Sequence, residues 1–336
     1  MKAAQIVAPR RIEIIDIDPS DISSAPDGAV LIKTHLSAIC GSDMPMFALE
    51  YHPSDYPMAP GMSIHECIGV IVASKSDRFK EGDEVLSMPP LETVTGARFL
   101  RAHPLNIGGL AEYFLSHEDA TVPLAKFDRK DYTLMSQPLG TVIWACRKLG
   151  NLLNQDTVVL GQGSMGLLMT HMLSNLGAKT VITIDLLDYR LAVSRQMRAT
   201  HTINAAEEDP VAVVKEITNG RMADLVVEIV GHQTKTINQC LDLVKRGGTV
   251  FGFGGQVEPI YDFRFSDFLR KNVRLIGSVA PEAQNDFPLA MDMITQGRID
   301  VSPIITHHLP FTEVQAAFEL SLHEKESAIK IVMEYD

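Results

Sequence analysis

The stretch TVVLGQGSMG, residues 157–166, decides the fold of this chain. An apolar run of strand length comes first, and glycines at 161, 163 and 166 follow it. Apolar residues then recur with helical spacing over Met165–Leu176, and a second β-like run covers Val181–Asp185. This order predicts a βαβ unit in which a glycine turn joins the first strand to the crossover helix.

Toward the C-terminus, apolar runs of strand length continue to alternate with longer segments of helical period. Further strands are predicted at Leu225–Val230, Thr249–Phe253 and Val273–Gly277. Alternating strands and helices are typical of a parallel sheet with helices on its faces. We therefore predict a domain built on a doubly wound parallel sheet, to which we assign residues 136–304.

The N-terminal part has a different sequence pattern. Short β-like runs, among them Ala29–His35 and Cys67–Ala73, are separated by segments rich in proline and glycine. This pattern predicts a β-rich domain over residues 1–135, so the whole chain is expected to have an α/β fold in two domains. Near the C-terminus the pattern predicts a loop, a helix and a closing strand, in that order: Pro303–Pro310, Thr312–Leu322 and Ala328–Met333.

Composition narrows the classes of partner. The chain has 336 residues and a formal net charge of −12 at pH 7. An acidic surface repels nucleic-acid phosphates and anionic lipids, so we expect small-molecule partners, with no nucleic acid and no membrane. No signal-type apolar region or bilayer-length stretch is found, which leads us to expect a cytoplasmic protein. Four cysteines form no Cys-x-x-Cys pair and give no support for a disulfide framework: Cys40, Cys67, Cys146 and Cys240.

The glycine turn also indicates a binding site for a pyrophosphate group. Gly161 permits a tight turn, Gly163 lets the backbone approach a pyrophosphate, and Gly166 allows the helix to pack close to the strand. The helix that begins near Ser164 and Met165 would direct free N–H groups and its positive dipole end at the phosphates. On the alternative interpretation, the glycines form a structural turn that binds nothing.

Asp185 supplies a second indication of a dinucleotide. It ends the next strand about 20 residues further on, where a carboxylate can accept hydrogen bonds from the adenosine ribose hydroxyls. The same carboxylate would repel the additional phosphate of NADP, so NAD is the predicted cofactor. We include Arg190 in the predicted cofactor site. The plainer alternative for Asp185 is a solvated strand end or a helix N-cap.

A possible metal site lies in the N-terminal part. The run Cys40-Gly41-Ser42-Asp43 is followed by His65-Glu66. Thiolate, imidazole and carboxylate are ligand types that zinc takes, and a catalytic zinc needs three of them with one position open. Considered singly, Cys40 is explained as a small buried hydrophobe and His65 as a hydrogen-bonded core histidine.

Five segments resemble the medium-chain zinc dehydrogenases, on the sorbitol and threonine dehydrogenase side of that family. In order along the chain they are Cys40–Asp43, Gly61–Val70, Gly82–Val85, Gly108–Tyr113 and Gly161–Gly166. The resemblance covers nearly the whole chain. It implies a GroES-like catalytic domain, completed by residues 305–336, a Rossmann NAD-binding domain with the active site in the cleft between them, and a homodimer or homotetramer.

The resemblance also implies roles for individual residues. Cys40, His65 and Glu66 would hold one catalytic zinc, and Asp43 would accept a hydrogen bond from His65 and fix its tautomer. The zinc would stabilise an alkoxide as a Lewis acid while NAD takes the hydride. Ser42 would pass the alcohol proton toward the ribose hydroxyls and solvent. The alternative for Ser42 is a turn serine that caps a helix near Asp43.

Gln137 departs from the family pattern. Family members commonly have glutamate before the Pro-Leu pair that is Pro138-Leu139 here, and the carboxylate there binds zinc or hydrogen-bonds its water. An amide is a poorer zinc ligand and cannot take a proton from water. We count Gln137 with Ser42 and Glu66 as candidate catalytic residues, and consider a hydrogen bond from Gln137 to the metal-bound water more consistent with the sequence than loss of the metal.

Two further departures concern other parts of the pattern. The family's structural-zinc loop would fall between about Met88 and Gly108, where no cysteine occurs, so no structural zinc is expected. The relay histidine of some members is Pro45 here, and the Arg-Tyr pair of sorbitol-type enzymes is Ala280-Pro281. Apolar residues after the zinc-ligand segment would line a more apolar pocket or pack in the core: Met44, Met46 and Phe47.

The sequence therefore predicts an NAD-dependent, zinc-containing alcohol dehydrogenase. Its substrate would be a secondary alcohol or ketone, with polyols and sugar derivatives among the candidates. One alternative is a zinc-free quinone or enone reductase of the same superfamily, which Gln137 would permit. Another is a non-catalytic NAD-binding protein, which would bind the cofactor without turnover.

Overall fold

The strands of this chain build three sheets within the residues that the computed structural model describes. These residues are 1–18, 21–48, 56–62, 64–89, 108–231, 233–255, 259–323 and 327–336. Their strands are β1 (Lys2–Ala8), β2 (Arg11–Asp16), β3 (Ala29–Ala38), β4 (Glu66–Ser74), β5 (Glu84–Ser87), β6 (Tyr113–His117), β7 (Thr121–Pro123), β8 (Asp156–Leu160), β9 (Thr180–Asp185), β10 (His201–Asn204), β11 (Ala223–Glu228), β12 (Val244–Gly252), β13 (Arg274–Gly277), β14 (Ile305–Pro310) and β15 (Lys330–Glu334).

The helices of the same residues fall mainly in the second half of the chain. They are α1 (Met44–Ala48), α2 (Lys130–Leu134), α3 (Ser136–Cys146), α4 (Ser164–Asn175), α5 (Asp188–Gln196), α6 (Pro210–Ile217), α7 (Thr236–Leu243), α8 (Phe265–Lys271), α9 (Ala283–Thr295) and α10 (Val314–His323). No helix among the described residues is both long enough and apolar enough to cross a membrane.

Two units divide these elements. The first comprises Met1–Gly140 and Glu282–Asp336, and the second comprises Thr141–Pro281. The first unit holds a seven-stranded sheet in the order β14-β15-β3-β4-β5-β7, with β6 paired to β3, and a small β1-β2 sheet. The second unit holds a six-stranded sheet in the order β10-β9-β8-β11-β12-β13, and all its pairings are parallel. The predicted α/β fold, with a β-rich part and a doubly wound parallel sheet, is confirmed.

The second unit follows directly from its sequence pattern. All five residues of β8 are buried, as are the apolar residues of β9 and β11 beside it. Such continuous burial is typical of a parallel strand covered on both faces. Because parallel strands end at one edge of the sheet, Gly161, Asp185 and Glu228 come to the same edge.

The C-terminal boundary of the second unit differs from the expected one. The division falls at 140 and at 281, whereas the sequence analysis placed it at 135 and at 304. The physical reason lies in α9, whose Phe287 and Met291 pack in a buried cluster with Ile68 and Leu86 of the first unit's sheet. Helical period alone does not reveal which core a helix joins.

The predicted loop at Pro303–Pro310 was wrong, because Ile305–Pro310 forms β14. This strand pairs in parallel with β15, with His308 opposite Val332. Its sequence, ITHHLP, is polar and ends in proline, as edge strands often are. An edge strand of this kind carries little of the apolar signal that identified the other strands.

The packing of α9 gives a first prediction. Phe287 is fully buried, whereas Leu289 on the same helix is 38% exposed. Phe287→Ala should lower the free energy of unfolding by about 3–5 kcal/mol, because it leaves a cavity in the core. Leu289→Ala should cost less than about 1 kcal/mol. Urea titrations followed by circular dichroism measure the difference, and equal losses in both variants would contradict the packing.

Candidate metal and cofactor sites

The three candidate zinc ligands come together because of one strand pairing. Strands β3 and β4 are antiparallel, and Ala38 near the end of β3 pairs with Glu66 at the start of β4. Cys40 follows β3 by two residues, and His65 immediately precedes β4. The ligand atoms of Cys40, His65 and Glu66 all lie within 4.8 Å of one another. Among the described residues, this is the one group of three or more such side chains with metal-site spacing.

Asp43 supports this cluster from the turn that follows Cys40. It is 1% exposed, and its Oδ2 accepts the backbone N–H of Cys40 at 2.8 Å. Its Oδ1 lies 3.7 Å from Nδ1 of His65, which is an ion-pair distance. The hydrogen bond from His65 to Asp43 that the resemblance implied is therefore too long in this structure. Asp43 instead fixes the backbone of Cys40 and places a negative charge beside the imidazole.

The electrostatics of the cluster favour a cation. Burial alone would lower the pKa of His65, but the adjacent Cys40, Asp43 and Glu66 raise it to about 10. Burial raises the pKa of Asp43, and its neighbour His65 opposes that effect. Acidic groups packed this closely are stabilised by positive charge, and a metal ion that binds His65 must displace a proton from it.

Lys330 was missed by the sequence analysis. It is fully buried at the start of β15, and its Nζ donates to Glu66 Oε1 at 2.7 Å and to Oε2 at 2.9 Å. Lysine is almost never fully buried unless it is paired. The available signal was a lysine within the apolar strand predicted at Ala328–Met333. Breaking a buried pair by removing one partner typically costs about 3–5 kcal/mol, so this contact also contributes to the fold.

The two other candidate catalytic residues lie in different environments. Ser42 is exposed in the 3-10 turn Gly41–Asp43, whose N-cap position belongs to Cys40. Gln137 is 5% exposed in α3, and its Nε2 donates to Sδ of Met88 at 3.6 Å. Ser42 therefore does not occupy the capping position that the alternative interpretation gave it. The role of Gln137 stays a prediction.

Of the remaining cysteines, Cys67 and Cys240 are buried and Cys146 is partly buried. Burial raises the pKa of Cys146 to about 12 and raises those of Cys67 and Cys240 well above the usual value. A thiol that stays protonated is a poor nucleophile and a poor metal ligand. The cysteine-free segment in which family members hold structural zinc falls, apart from its ends, outside the described residues.

The three glycines of the turn after β8 differ in what the fold requires of them. Gly161 has φ +103°, which favours glycine, and a Cβ on Gly166 would lie 2.0 Å from the carbonyl oxygen of Gly161. Gly163 has an ordinary φ of −72°, and the nearest atom to a Cβ there would be Nη1 of Arg190 at 4.0 Å. The fold therefore requires glycine at positions 161 and 166, whereas at position 163 there is room for a Cβ atom.

This space lies at the start of a helix. Gly163 is the N-cap of α4 and makes no side-chain capping bond, and Ser164 and Met165 form the first helical positions. Backbone N–H groups at a helix start attract phosphate through hydrogen bonds and the helix dipole. The room at Gly163 and these donors suit the close approach of a pyrophosphate.

Asp185 stabilises the glycine turn after β8 through hydrogen bonds to backbone N–H groups. Its Oδ2 accepts the backbone N–H of Gln162 at 2.6 Å, and its Oδ1 accepts those of Leu186 and Leu187 at 2.8 and 3.1 Å. A carboxylate oxygen offers about two acceptor directions, so Oδ2 retains capacity for one more donor. The N-cap of α5 is Leu187, and Asp185 is thus not the capping residue.

Comparison with known proteins places the chain in a family. Residues 26–126 match the alcohol dehydrogenase GroES-like domain, and residues 164–296 match the zinc-binding dehydrogenase family. The uncharacterized zinc-type alcohol dehydrogenase-like protein YdjJ of Escherichia coli (strain K12) is 30% identical over 333 residues, which cover 94% of each chain. This chain belongs to the zinc-type alcohol dehydrogenases of the medium-chain family.

Two further relatives agree with this assignment. D-arabitol-phosphate dehydrogenase of Enterococcus avium is 28% identical over 352 residues, covering 99% of this chain and 97% of that protein. The crystal structure of ECK1772, a dehydrogenase of unknown specificity from Escherichia coli, has a TM-score of 0.86 and 28% identity, covering 100% of this chain and 99% of that one. The zinc-type dehydrogenase is thus an oxidoreductase of the alcohol dehydrogenase family.

The contrast between Gly163 and Gly166 gives a second prediction. Gly166→Ala should lose about 1–3 kcal/mol of stability or more, because its methyl group meets a backbone oxygen. Gly163→Ala should fold with a loss of less than about 1 kcal/mol, yet bind NADH more weakly. Thermal unfolding and fluorescence titration with NADH measure the two effects. Unchanged NADH affinity in Gly163→Ala would contradict the assignment of this turn to the cofactor.

Proposed function

We propose that this protein is an NAD- and zinc-dependent dehydrogenase that oxidises a secondary alcohol to a ketone and catalyses the reverse reaction. The observation that carries the proposal is the cluster of Cys40, His65 and Glu66, with donor atoms within 4.8 Å of one another. One thiolate, one imidazole and one carboxylate match the ligand types of a catalytic zinc site. Membership of the zinc-type dehydrogenase family supports the same reaction.

The chain's own residues have distinct tasks in this reaction. Cys40, His65 and Glu66 would hold a zinc ion that would supply a Lewis acid for the substrate oxygen, and the glycine turn would hold an NAD that would supply the hydride acceptor. Asp43 holds the backbone of Cys40 and so keeps the thiolate in place. Ser42, exposed two residues after Cys40, takes the proton from the substrate hydroxyl while giving its own proton toward solvent.

Polyols and their derivatives are the proposed substrates. D-arabitol-phosphate dehydrogenase, which aligns over 99% of this chain, acts on a polyol phosphate according to its name. A polyol offers a secondary hydroxyl together with neighbouring hydroxyls that can be bound for orientation. The absence of a relay histidine at Pro45 is compatible with this proposal, since Ser42 reaches solvent directly.

NAD is the proposed cofactor because of Asp185. Its Oδ2 retains acceptor capacity for a ribose hydroxyl, and its negative charge opposes a phosphate at that position. Arg190, near Gly163, supplies a positive charge beside the turn. The proposal assigns the dinucleotide to the second unit, and the metal and substrate to the first.

The zinc-free reductase is the second candidate. The observation that favours it is Gln137, because an amide at this position removes one carboxylate from the family's pattern. A zinc-free reductase would not explain the acidic cluster around His65, however. Hydride transfer to an enone needs no set of thiolate, imidazole and carboxylate donors. Metal content separates the two candidates.

Cys40→Ser tests the metal site. We expect wild-type protein purified without chelators or metal-affinity tags to hold about one zinc per chain, and the variant to hold almost none, because zinc binds thiolate far better than hydroxyl. Elemental mass spectrometry gives the metal content, and NAD reduction with secondary alcohols and polyols gives the activity. Cys146→Ser is the matched control and should keep both. Full zinc and activity in Cys40→Ser would point to a different metal site.

Asp185→Asn tests the choice of cofactor. Asparagine keeps one acceptor oxygen, which can serve the N–H groups of Leu186 and Leu187, but its NH2 group cannot accept the N–H of Gln162, and the negative charge is removed. The ratio of kcat/KM for NAD to that for NADP should fall about tenfold or more, since placing like charges together costs several kcal/mol. An unchanged ratio, with the fold intact by circular dichroism, would refute the role of Asp185 in discrimination.

A further inference from the structure

Glu228 is a buried carboxylate of the second unit to which the proposed function gives no task. It ends β11 and is 2% exposed. Its Oε1 accepts the hydroxyl of Thr236 at 2.8 Å and the backbone N–H groups of Val230 and Gly231 at 3.2 and 3.4 Å. Such donors stabilise a negative charge, but all three are neutral groups and do not cancel it.

A second buried carboxylate of this unit shows what compensation looks like. Asp156, at the start of β8, is 1% exposed and forms ion pairs with Lys179 and Arg221. No ion pair of Glu228 is found within the described ranges of the chain. An unpaired charge in a protein interior is costly, so folding alone gives no reason for a carboxylate at this position.

The order of the strands places Glu228 at a distinctive point of the sheet. After β8 the chain adds β9 and β10 on one side, and it then returns to add β11, β12 and β13 on the other. The loops after β8 and β11 therefore run in opposite directions, and dinucleotides bind in the crevice that such a reversal opens at the carboxyl ends of the strands. Glu228 pairs with Leu160, and these two residues end the two strands that flank the reversal.

The carboxylate is packed between backbone segments of this edge. A Cβ on Gly254, in the loop after β12, would lie 2.6 Å from Oε2 of Glu228. Val230, whose N–H group Glu228 binds, lies against the glycine turn, since a Cβ on Gly161 would come within 2.8 Å of its Cγ2. The charge of Glu228 is therefore buried beneath the edge that would hold the cofactor, where water and salt screen it little.

The two halves of a dinucleotide would meet different parts of this edge. The proposed function assigns the adenosine ribose to Asp185 at the end of β9 and the pyrophosphate to the turn after β8. The nicotinamide half then belongs on the other side of the reversal, at the ends of β11 and β12. Oxidised nicotinamide carries a positive charge, whereas reduced nicotinamide is neutral. A buried negative charge on this side therefore attracts one oxidation state and not the other.

We propose that Glu228 makes the cofactor site selective for the oxidised dinucleotide. The inference rests on the proposed NAD-dependent function and adds a residue to it. The ribose and phosphate groups are the same in both oxidation states, so the attraction to Glu228 is the contribution that reduction removes. Glu228 thereby favours the binding of NAD⁺ and the release of NADH, which are the two cofactor steps of alcohol oxidation.

Glu228→Gln tests the charge. The two side chains have the same shape, and the amide oxygen of glutamine can accept all three donors that Oε1 now serves. The ligands compared are NAD⁺, NADH and ADP-ribose, which lacks the nicotinamide ring. We expect the Kd for NAD⁺ to rise about fivefold or more, and the other two Kd values to change by less than about twofold. Isothermal titration calorimetry measures all three without turnover.

Two control variants separate charge from loop structure. Asp224→Asn removes a carboxylate near the start of the same strand, where it pairs with Lys245, and it should leave the ratio of the NAD⁺ and NADH Kd values unchanged. Glu228→Asp keeps the charge on a shorter side chain. It should retain the wild-type ratio, even if altered loops weaken the binding of all three ligands alike.

Stability gives an independent readout. Because an unpaired buried charge is costly, Glu228→Gln should unfold at the same Tm as wild type or at a higher one. Failure of this variant to fold would overturn the inference, since the carboxylate would then be a requirement of the fold. Equal weakening of NAD⁺, NADH and ADP-ribose would also overturn it, because Glu228 would then only hold the loops. Three unchanged affinities would show that its charge does not reach the cofactor.

The same titrations distinguish this inference from the proposed function. If wild type binds NADP⁺ in preference to NAD⁺, the role of Asp185 is wrong, and the comparison of NADP⁺ with NADPH tests Glu228 in the same way. If wild type binds none of these dinucleotides, the proposed cofactor site fails first, and this inference with it.

Discussion

The pairing of Ala38 with Glu66 is the constraint on which the candidate metal site depends. It brings the segment after β3 next to the segment before β4, so that residues 25 positions apart in sequence place a thiol and an imidazole side by side. A slip of one residue in this pairing would turn Glu66 to the other face of the sheet. The three candidate ligands therefore stay together only while strands β3 and β4 keep this register. The buried residues on both strands stabilise the register.

Charge balance is the second condition that the site satisfies. Asp43 and Glu66 are buried with Cys40 near by, and burying acidic groups together is unfavourable unless positive charge compensates them. Lys330 supplies one such charge, and His65, with its raised pKa, supplies another. A divalent cation can replace the proton of His65 as the positive charge that compensates the acidic groups. The same acidic cluster that would be costly in a purely structural core is thus suited to metal binding.

The sequence predicted those parts of the molecule that depend on local pattern. The strand, glycine turn and helix at Thr157–Leu176 were predictable because burial on both faces and glycine spacing leave a strong local signal. Strand β14 was missed because an edge strand with polar side chains has no such signal, and Lys330 was missed because its partner is 264 residues away in sequence. Contacts between distant residues also decided which unit α9 joins, and helical period could not reveal this.

Asp185 shows how the fold and the choice of cofactor are linked at one side chain. Three backbone N–H groups bind its two oxygens, and one of them belongs to Gln162 within the glycine turn. The carboxylate that would discriminate NAD from NADP therefore also shapes the turn on which the pyrophosphate would rest. Alanine at this position would remove both contributions together, so a change in dinucleotide binding could not be assigned to charge. An isosteric amide removes the charge but keeps one acceptor oxygen, whereas alanine removes both, so the amide tests the electrostatic contribution of Asp185 with a smaller change to the turn.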